Sequence, residues 1–257
     1  MPHAPNMAIA LIHSRAQCGV QAPPVQVEVH LSGGLPGMSI VGLPEAAVRE
    51  SKDRVRAALL CAQFDMPQRR ITVNLAPADL PKDGARFDLP IALGILVASG
   101  QVPAEAVAQL EFIGELALTG ELRGVHGALT AALGAGRAGR GVVLPRANAD
   151  EAGLAGAVDV LPADTLLQVC AHLRGEDRLS AFEAANEEVA PGARADLRDV
   201  VGQPIARRAL EIAAAGGHHL LLVGPPGSGK TLLASRLTGL LPPLDEHDAL
   251  EAAAVRS

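Results

Sequence analysis

The segment Gly224-Pro225-Pro226-Gly227-Ser228-Gly229-Lys230-Thr231 constrains this chain more than any other. It satisfies G-x-x-x-x-G-K-[ST] at every fixed position, a pattern that requires a strand before it and a helix after it. Residues 219–223 are an apolar run that suits the strand, and residues 230–240 suit the helix, closed by Pro242-Pro243. The residue types follow from the chemistry of an anion. Phosphate oxygens need several backbone N–H donors at close range, and side chains at the glycine positions would block the approach. The amides of the loop and of the first helical turn converge on the anion, and the helix dipole adds to their field. Lys230 is then a point charge for the β- and γ-phosphates, and Thr231 a hydroxyl for Mg²⁺. ATP or ADP with Mg²⁺ is the expected cofactor, held by Gly224, Pro225, Pro226, Gly227, Ser228, Gly229, Lys230 and Thr231.

A phosphate loop says nucleotide, not what is done with it. An ATPase also needs a Walker-B carboxylate and usually an arginine finger, normally on later strands. Asp245, Glu246, Asp248 and Glu251 follow the loop, but no apolar strand leads into them, so they read as an acidic helix or tail. The expectation is a module cut short, weak or absent in nucleotide binding and unable to hydrolyse ATP alone.

The rest of the 257 residues suggests a second domain. Residues 25–31 alternate Val25, Val27, Val29 and Leu31 with Gln26, Glu28 and His30, the period of a half-buried strand. Strands are also expected at 7–12, 39–41, 71–75 and 142–144. Helices are expected at 45–60 with Pro44 at the first helical position, and at 89–98, 128–137 and 165–173. Residues 112–122 read as a hairpin turning at Thr119-Gly120. Pro204 opens a helix with Ile205, Ala209, Ile212 and Ala213 on one face, stopped by Gly216-Gly217. Strands and helices mix throughout, so the class is α/β. Residues 175–195 lose apolar periodicity and read as a linker, with a weak helix near 181–188. The division is therefore 1–174, 175–195 and 196–257.

Composition excludes some functions. Trp and Tyr are absent and there are 4 Phe, so stacking platforms for single-stranded nucleic acid are not available. The net charge is −6, and any DNA contact must come from a local patch or from a ring that focuses a few arginines. Cys18, Cys61 and Cys170 have no metal-binding spacing and read as small buried hydrophobes. No secretory signal or membrane span is apparent, and a cytoplasmic protein is expected.

Three further groups stand out. Arg49, Lys52 and Arg56 form one stripe of the 45–60 helix, with Arg54 off it; they read as a DNA-facing stripe or as a solvated face paired with Glu45, Glu50 and Asp53. Arg69-Arg70 is similarly ambiguous. Asp79 and Asp83 flank Lys82 and read as a catalytic carboxylate pair or as loop and turn chemistry; residues 81–88 are expected at the surface, and Asp88 suits a helix cap. His218-His219 could approach a base or simply close a turn.

The run Asp199-Val200-Val201-Gly202-Gln203, then Arg207-Arg208-Ala209-Leu210-Glu211-Ile212-Ala213-Ala214-Ala215-Gly216-Gly217-His218-His219 and the loop, resembles the start of the AAA+ module of the ComM (YifB-like) family. Val29-His30-Leu31-Ser32-Gly33-Gly34-Leu35-Pro36 and the stretches 40–50, 69–93 and 113–120 resemble the first domain of the same family. The resemblance implies an N-terminal ChlI-type domain with the Lon-protease fold, followed by a Mg-chelatase-like AAA+ ATPase. It also implies a homo-oligomeric, hexameric motor for DNA branch migration in natural transformation and recombination, with branched or single-stranded DNA as partner. A magnesium-chelatase ATPase subunit and a non-enzymatic oligomerisation or DNA scaffold are the alternatives. Against the Lon pattern, the nucleophile's position holds Arg86 and its lysine partner's position holds Leu129, so no peptidase is expected.

Overall fold

The computed structural model describes residues 9–156, 158–183 and 196–257. Contacts divide the chain into two units: Met1–Ala184 with Ala249–Ser257, and Ala185–Asp248.

The first unit is built on a seven-stranded sheet. Its strands are β1 (Ile9–Arg15), β2 (Pro24–Ser32), β3 (Gly37–Val41), β4 (Arg70–Ala76), β5 (Leu110–Phe112), β8 (Gly141–Pro145) and β9 (Val160–Ala163), in the order β3-β4-β2-β1-β5-β8-β9. The β1/β2 and β2/β4 junctions are antiparallel. The other four are parallel. The period of two holds in β2, where Val25, Val27, Val29 and Leu31 are buried. In this antiparallel half only one face is covered among the described residues. Ile9 and Leu11 on β1 remain about half exposed on the other.

Two helices cover the buried face. α1 (Ala46–Cys61) buries Val48, Val55, Ala58 and Leu59, each removal from water contributing about 1.5–3 kcal/mol for the larger side chains. α2 (Asp88–Ala98) is enclosed from Asp88 to Val97. It lies close on β2: a Cβ at Gly94 would stand 2.4 Å from Val29 Cγ2. Glu45 is the residue that caps α1, so Pro44 stands before the cap and not at the first helical position. The backbone of Pro44 is instead bridged to Lys82.

The parallel half is covered on both faces. Val142 and Leu144 pack with alanines of α3 (Ala128–Arg137) and with Ala152 of α4 (Ala149–Gly153). Val143, Leu161 and Ala163 join the main core with α5 (Leu166–Arg174). The expected hairpin is smaller than its sequence range. Phe112 belongs to β5, and only β6 (Glu115–Leu116) pairs with β7 (Leu122–Arg123). Thr165 caps α5 by accepting the Gln168 N–H at 3.2 Å.

Residues 175–183, assigned to the linker from sequence, pack on this unit. Leu179 N–H donates to His172 Nδ1 at 3.1 Å and Phe182 N–H to Val160 O at 2.8 Å. Phe182 also packs against the smaller core. Residues 181–183 carry no helix, and the remainder of the expected 181–188 helix lies outside the described residues.

The second unit has α6 (Pro204–Gly216), α7 (Lys230–Leu240) and the start of α8 (Glu246–Arg256), around a small core of Leu197, Val200, Leu210 and Leu233. α6 begins at Pro204 and ends on Gly217 at φ +62° as expected. The buried face is not the expected one. Leu210 and Ala213 face the core, whereas Ile205 is 86% and Ile212 51% exposed. Residues 219–223 form no strand: among the described residues no neighbouring strand exists to complete a ladder, and Leu221 and Val223 stand in solvent.

Cys170 is buried, and burial pushes its thiol up to about 12. Cys18 and Cys61 are exposed, against the expectation of three buried thiols. Among the described residues, no helix is long and apolar enough to cross a membrane.

Candidate functional site

The glycine loop connects residues 219–223 to α7 and is open to solvent. Gly227 at φ +79° and Gly229 at φ +81° hold left-handed conformations that L side chains adopt at a cost. Of the two, Gly229 is a fixed glycine of the pattern, and Gly227 occupies one of its variable positions. Gly229 caps α7. Ser228 N–H donates to Pro225 O at 3.4 Å and Leu233 N–H to Gly229 O at 3.0 Å. The N–H groups of Gly227 and of Gly229, Lys230, Thr231 and Leu232 donate to no acceptor among the described residues. Four consecutive free donors at the positive end of a helix dipole form a concave field suited to an anion.

The Lys230 ammonium folds back over the loop. It donates to Pro225 O at 2.6 Å, Gly224 O at 2.8 Å and Ser228 Oγ at 3.3 Å. The cation is thereby held beside the free amides. Thr231 lies exposed on the first turn of α7. Sequence reasoning missed Gln203, whose amide Nε2 donates to Ser228 O at 3.1 Å. It holds φ +50°, immediately before Pro204. A single glutamine carries no periodic signal, and only its place in the resemblance singled it out. Arg236 of α7 also pairs with Asp199 at 3.2 Å, tying the helix behind the loop to the segment before α6. His218 and His219 are exposed, with no side-chain hydrogen bond to the loop among the described residues.

Asp245, Glu246, Asp248 and Glu251 sit in or beside the helix α8, as expected. Asp245 Oδ1 accepts the Asp248 N–H at 2.8 Å, an ordinary helix-start arrangement. Among the described residues, no three His, Cys, Asp or Glu side chains converge to hold a metal.

The segment 81–88, expected at the surface, is largely internal. Lys82 is fully enclosed and donates to Pro77 O; burial lowers its pKa, opposed by Asp79. Asp83 does supply turn chemistry, accepting the Gly84 N–H at 2.6 Å. Arg86 is buried and donates to Gln17 Oε1 at 3.0 Å, to Arg15 O at 3.4 Å and to His126 O. Burial pulls its guanidinium down to about 10, opposed by Asp83 and Glu151, so it stays charged at neutral pH. Leu129 is buried in α3. The two positions of the protease dyad thus hold a structural guanidinium and an apolar side chain. We expect the purified protein to leave casein intact and Arg86→Ala to leave that result unchanged. Cleavage that disappears in Arg86→Ala would contradict this.

Asp88 is not a cap. It is fully buried at the first position of α2, and its carboxylate accepts from Arg54 Nε at 2.7 Å, from the Leu116 N–H at 3.2 Å and from Ser51 Oγ. Burial raises its pKa, and those donors oppose the rise. Arg54, off the basic stripe in the sequence reading, is therefore committed to the interior.

Residues 27–148 match the family model described as subunit ChlI of Mg-chelatase, and residues 196–257 the model described as magnesium chelatase, subunit ChlI. The chain is 54% identical over 255 residues to competence protein ComM of Haemophilus influenzae, covering 98% of this chain and 50% of that protein. It is 53% identical over 251 residues to the uncharacterized protein YifB of Salmonella typhimurium, covering 98% and 49%. Over 79 residues it is 37% identical to the archaeal Lon protease of Pyrococcus abyssi, covering 30% of this chain and 8% of that protein. The chain spans about half the length of the ComM and YifB relatives.

Proposed function

The chain belongs to the ComM/YifB family of magnesium-chelatase-related AAA+ proteins, and on that premise we propose that its phosphate loop binds ATP with Mg²⁺. The observation that carries the reading is the row of free amides from Gly229 to Leu232 beside the seated Lys230. In this reading Gly224, Pro225, Pro226, Gly227, Ser228 and Gly229 wrap the phosphates. Lys230 would contact the β- and γ-phosphates, and the Thr231 hydroxyl would hold Mg²⁺, which when bound would supply charge neutralisation at the phosphate oxygens. Gln203 keeps the loop seated through Ser228 O.

We propose further that this chain is the N-terminal half of a protein of the relatives' length. Residues 1–183 are its Lon-like scaffold, since 175–183 pack on the first unit, and 196–257 contain the entry to the ATPase module. Exposure of Leu221, at 85%, and Val223, at 86%, supports this, because a strand of an AAA+ sheet has both faces covered. The strands that flank the loop and the catalytic carboxylate then lie in the part the chain does not span. The complete protein assembles as a cytoplasmic homo-hexamer and moves branched DNA. Phosphate release, measured with and without branched DNA, tests this. The longer protein should hydrolyse ATP faster with DNA, and the 257-residue chain should not hydrolyse it. A longer protein without ATPase activity would remove the motor and leave a scaffold. Steady hydrolysis by this chain alone would place the catalytic carboxylate within it.

A further inference from the structure

The basic residues that the sequence left ambiguous come together on the first unit. Lys52 and Arg56 of α1 line a hollow of about 230 Å³ with Arg69, from the turn that leads into β4. Gly37 and Met38, at the start of β3, line this hollow and also an adjoining one of about 410 Å³, which contains Arg70. β3 is the edge strand of the sheet. The two hollows therefore run around one sheet edge, with cations on both sides. Arg49 extends the same stripe of α1, one turn before Lys52.

These charges are uncompensated. Among the described residues, none of Arg49, Lys52, Arg56, Arg69 and Arg70 has a carboxylate within 4.0 Å. Asp53 lines the smaller hollow as its one acidic side chain. Glu50 is drawn toward Arg54, at 3.8 Å. The sequence as a whole is acidic, at −6, so four cations and one acid lining the two hollows stand against the general balance. No stacking surface accompanies it. Phe64, Phe87 and Phe112 are buried, and Trp and Tyr are absent. A polyanion that is recognised here must therefore be read by its backbone charge and not by its bases.

We propose that this edge binds the phosphodiester backbone of double-stranded DNA without sequence preference, as a second DNA-facing element besides any contact in the ATPase module. The choice of DNA rests on the motor reading above; the charge geometry does not. Lys52, Arg56 and Arg69 each neutralise a phosphate, and Arg70 and Arg49 extend the track. Three neutralised phosphates give a slope of log K against log salt near −2.7, so affinity falls about 40-fold between about 50 and 200 mM salt.

The test is fluorescence anisotropy of a mixed-sequence duplex with the 257-residue chain. Its triple variant Lys52→Glu/Arg56→Glu/Arg69→Glu is compared with a charge-matched control, Arg123→Glu/Arg137→Glu/Arg178→Glu. All six side chains are on exposed residues, so both variants should keep the parent's melting temperature within a few degrees. The groove variant should bind at least tenfold more weakly at low salt and with a slope shallower by about 2–3. The control should lose far less. Equal losses in the two variants, or no duplex binding by the parent chain at low salt, would overturn the proposal. So would capture of the parent chain by phosphatidylserine vesicles but not by duplex, which would make a membrane the occupant. The motor reading is scored separately, by phosphate release from the longer protein without DNA. Hydrolysis there with an indifferent groove variant sinks the groove alone; loss of duplex binding without hydrolysis sinks the motor alone.

Discussion

Lys230→Ala in the longer protein should lower ATP turnover by about two to three orders of magnitude and weaken nucleotide binding as well. The expected size is that of removing one preorganised charge from a phosphoryl-transfer site. The structure shows why alanine is not a gentle change. The ammonium is held at the loop by Gly224 O, Pro225 O and Ser228 Oγ, so its position is set before any ligand arrives. It both orders the loop and supplies charge, and Lys230→Ala removes both. Lys230→Arg should not restore activity, because a planar guanidinium cannot occupy the same three-acceptor seat as a compact ammonium. Stability should hardly move, since this loop lies at the surface and contributes nothing to the small core of its unit. The checks are phosphate release, binding of a fluorescent ADP and a melting curve on the same preparation. Most of the turnover surviving in Lys230→Ala, with the fold intact, would exclude the loop as the site of hydrolysis.

The parts of this molecule that a reader of the sequence could find share a local cause. β2 announces itself because one face is buried and the other is not, so apolar and polar residues alternate. The glycine loop is legible because its pattern is local, and its fixed Gly229 holds φ +81°, where an L side chain is strained. β9 goes unseen for the opposite reason. All four of its residues are buried, one is Pro162, and a strand covered on both faces has no alternation to read. Residues 219–223 show the converse: they are apolar, but among the described residues no neighbouring strand is present to pair with them. The buried face of α6 is not legible in the sequence because Ile205 and Ile212 are apolar yet uncovered, which periodicity cannot register. Gln203 and the convergence of Arg69 with Lys52 and Arg56 depend on segments brought together by tertiary packing.

The interior role of Asp88 was equally hidden, since its partner Arg54 lies 34 residues earlier in the chain, and this node should dominate the stability of the first unit. Ser51 and Arg54 belong to α1, Asp88 to α2, and Leu116 to the β6/β7 hairpin, so one carboxylate holds three elements in register. Asp88→Ala would leave the Leu116 N–H without its acceptor and strip Arg54, at 21% side-chain exposure, of its buried counter-charge. Leaving one partner of a buried pair uncompensated costs about 3–5 kcal/mol. Partial access of water to Arg54 places the expected loss toward the lower end of that range. For a unit of this size that is a fall in Tm of roughly 10 °C. Asp88→Asn should cost much less. Burial already raises the carboxyl's pKa, so a neutral amide relieves part of the desolvation, and its oxygen still accepts from Arg54 or Leu116. Arg54→Met should fall between the two, because it removes the guanidinium but leaves Ser51 and the Leu116 N–H on the carboxylate. Urea and thermal melts of the three variants order these costs. Asp88→Ala melting within about 2 °C of the parent, or Asp88→Asn melting as low as Asp88→Ala, would show that the node does not carry the charge-dependent share assigned to it.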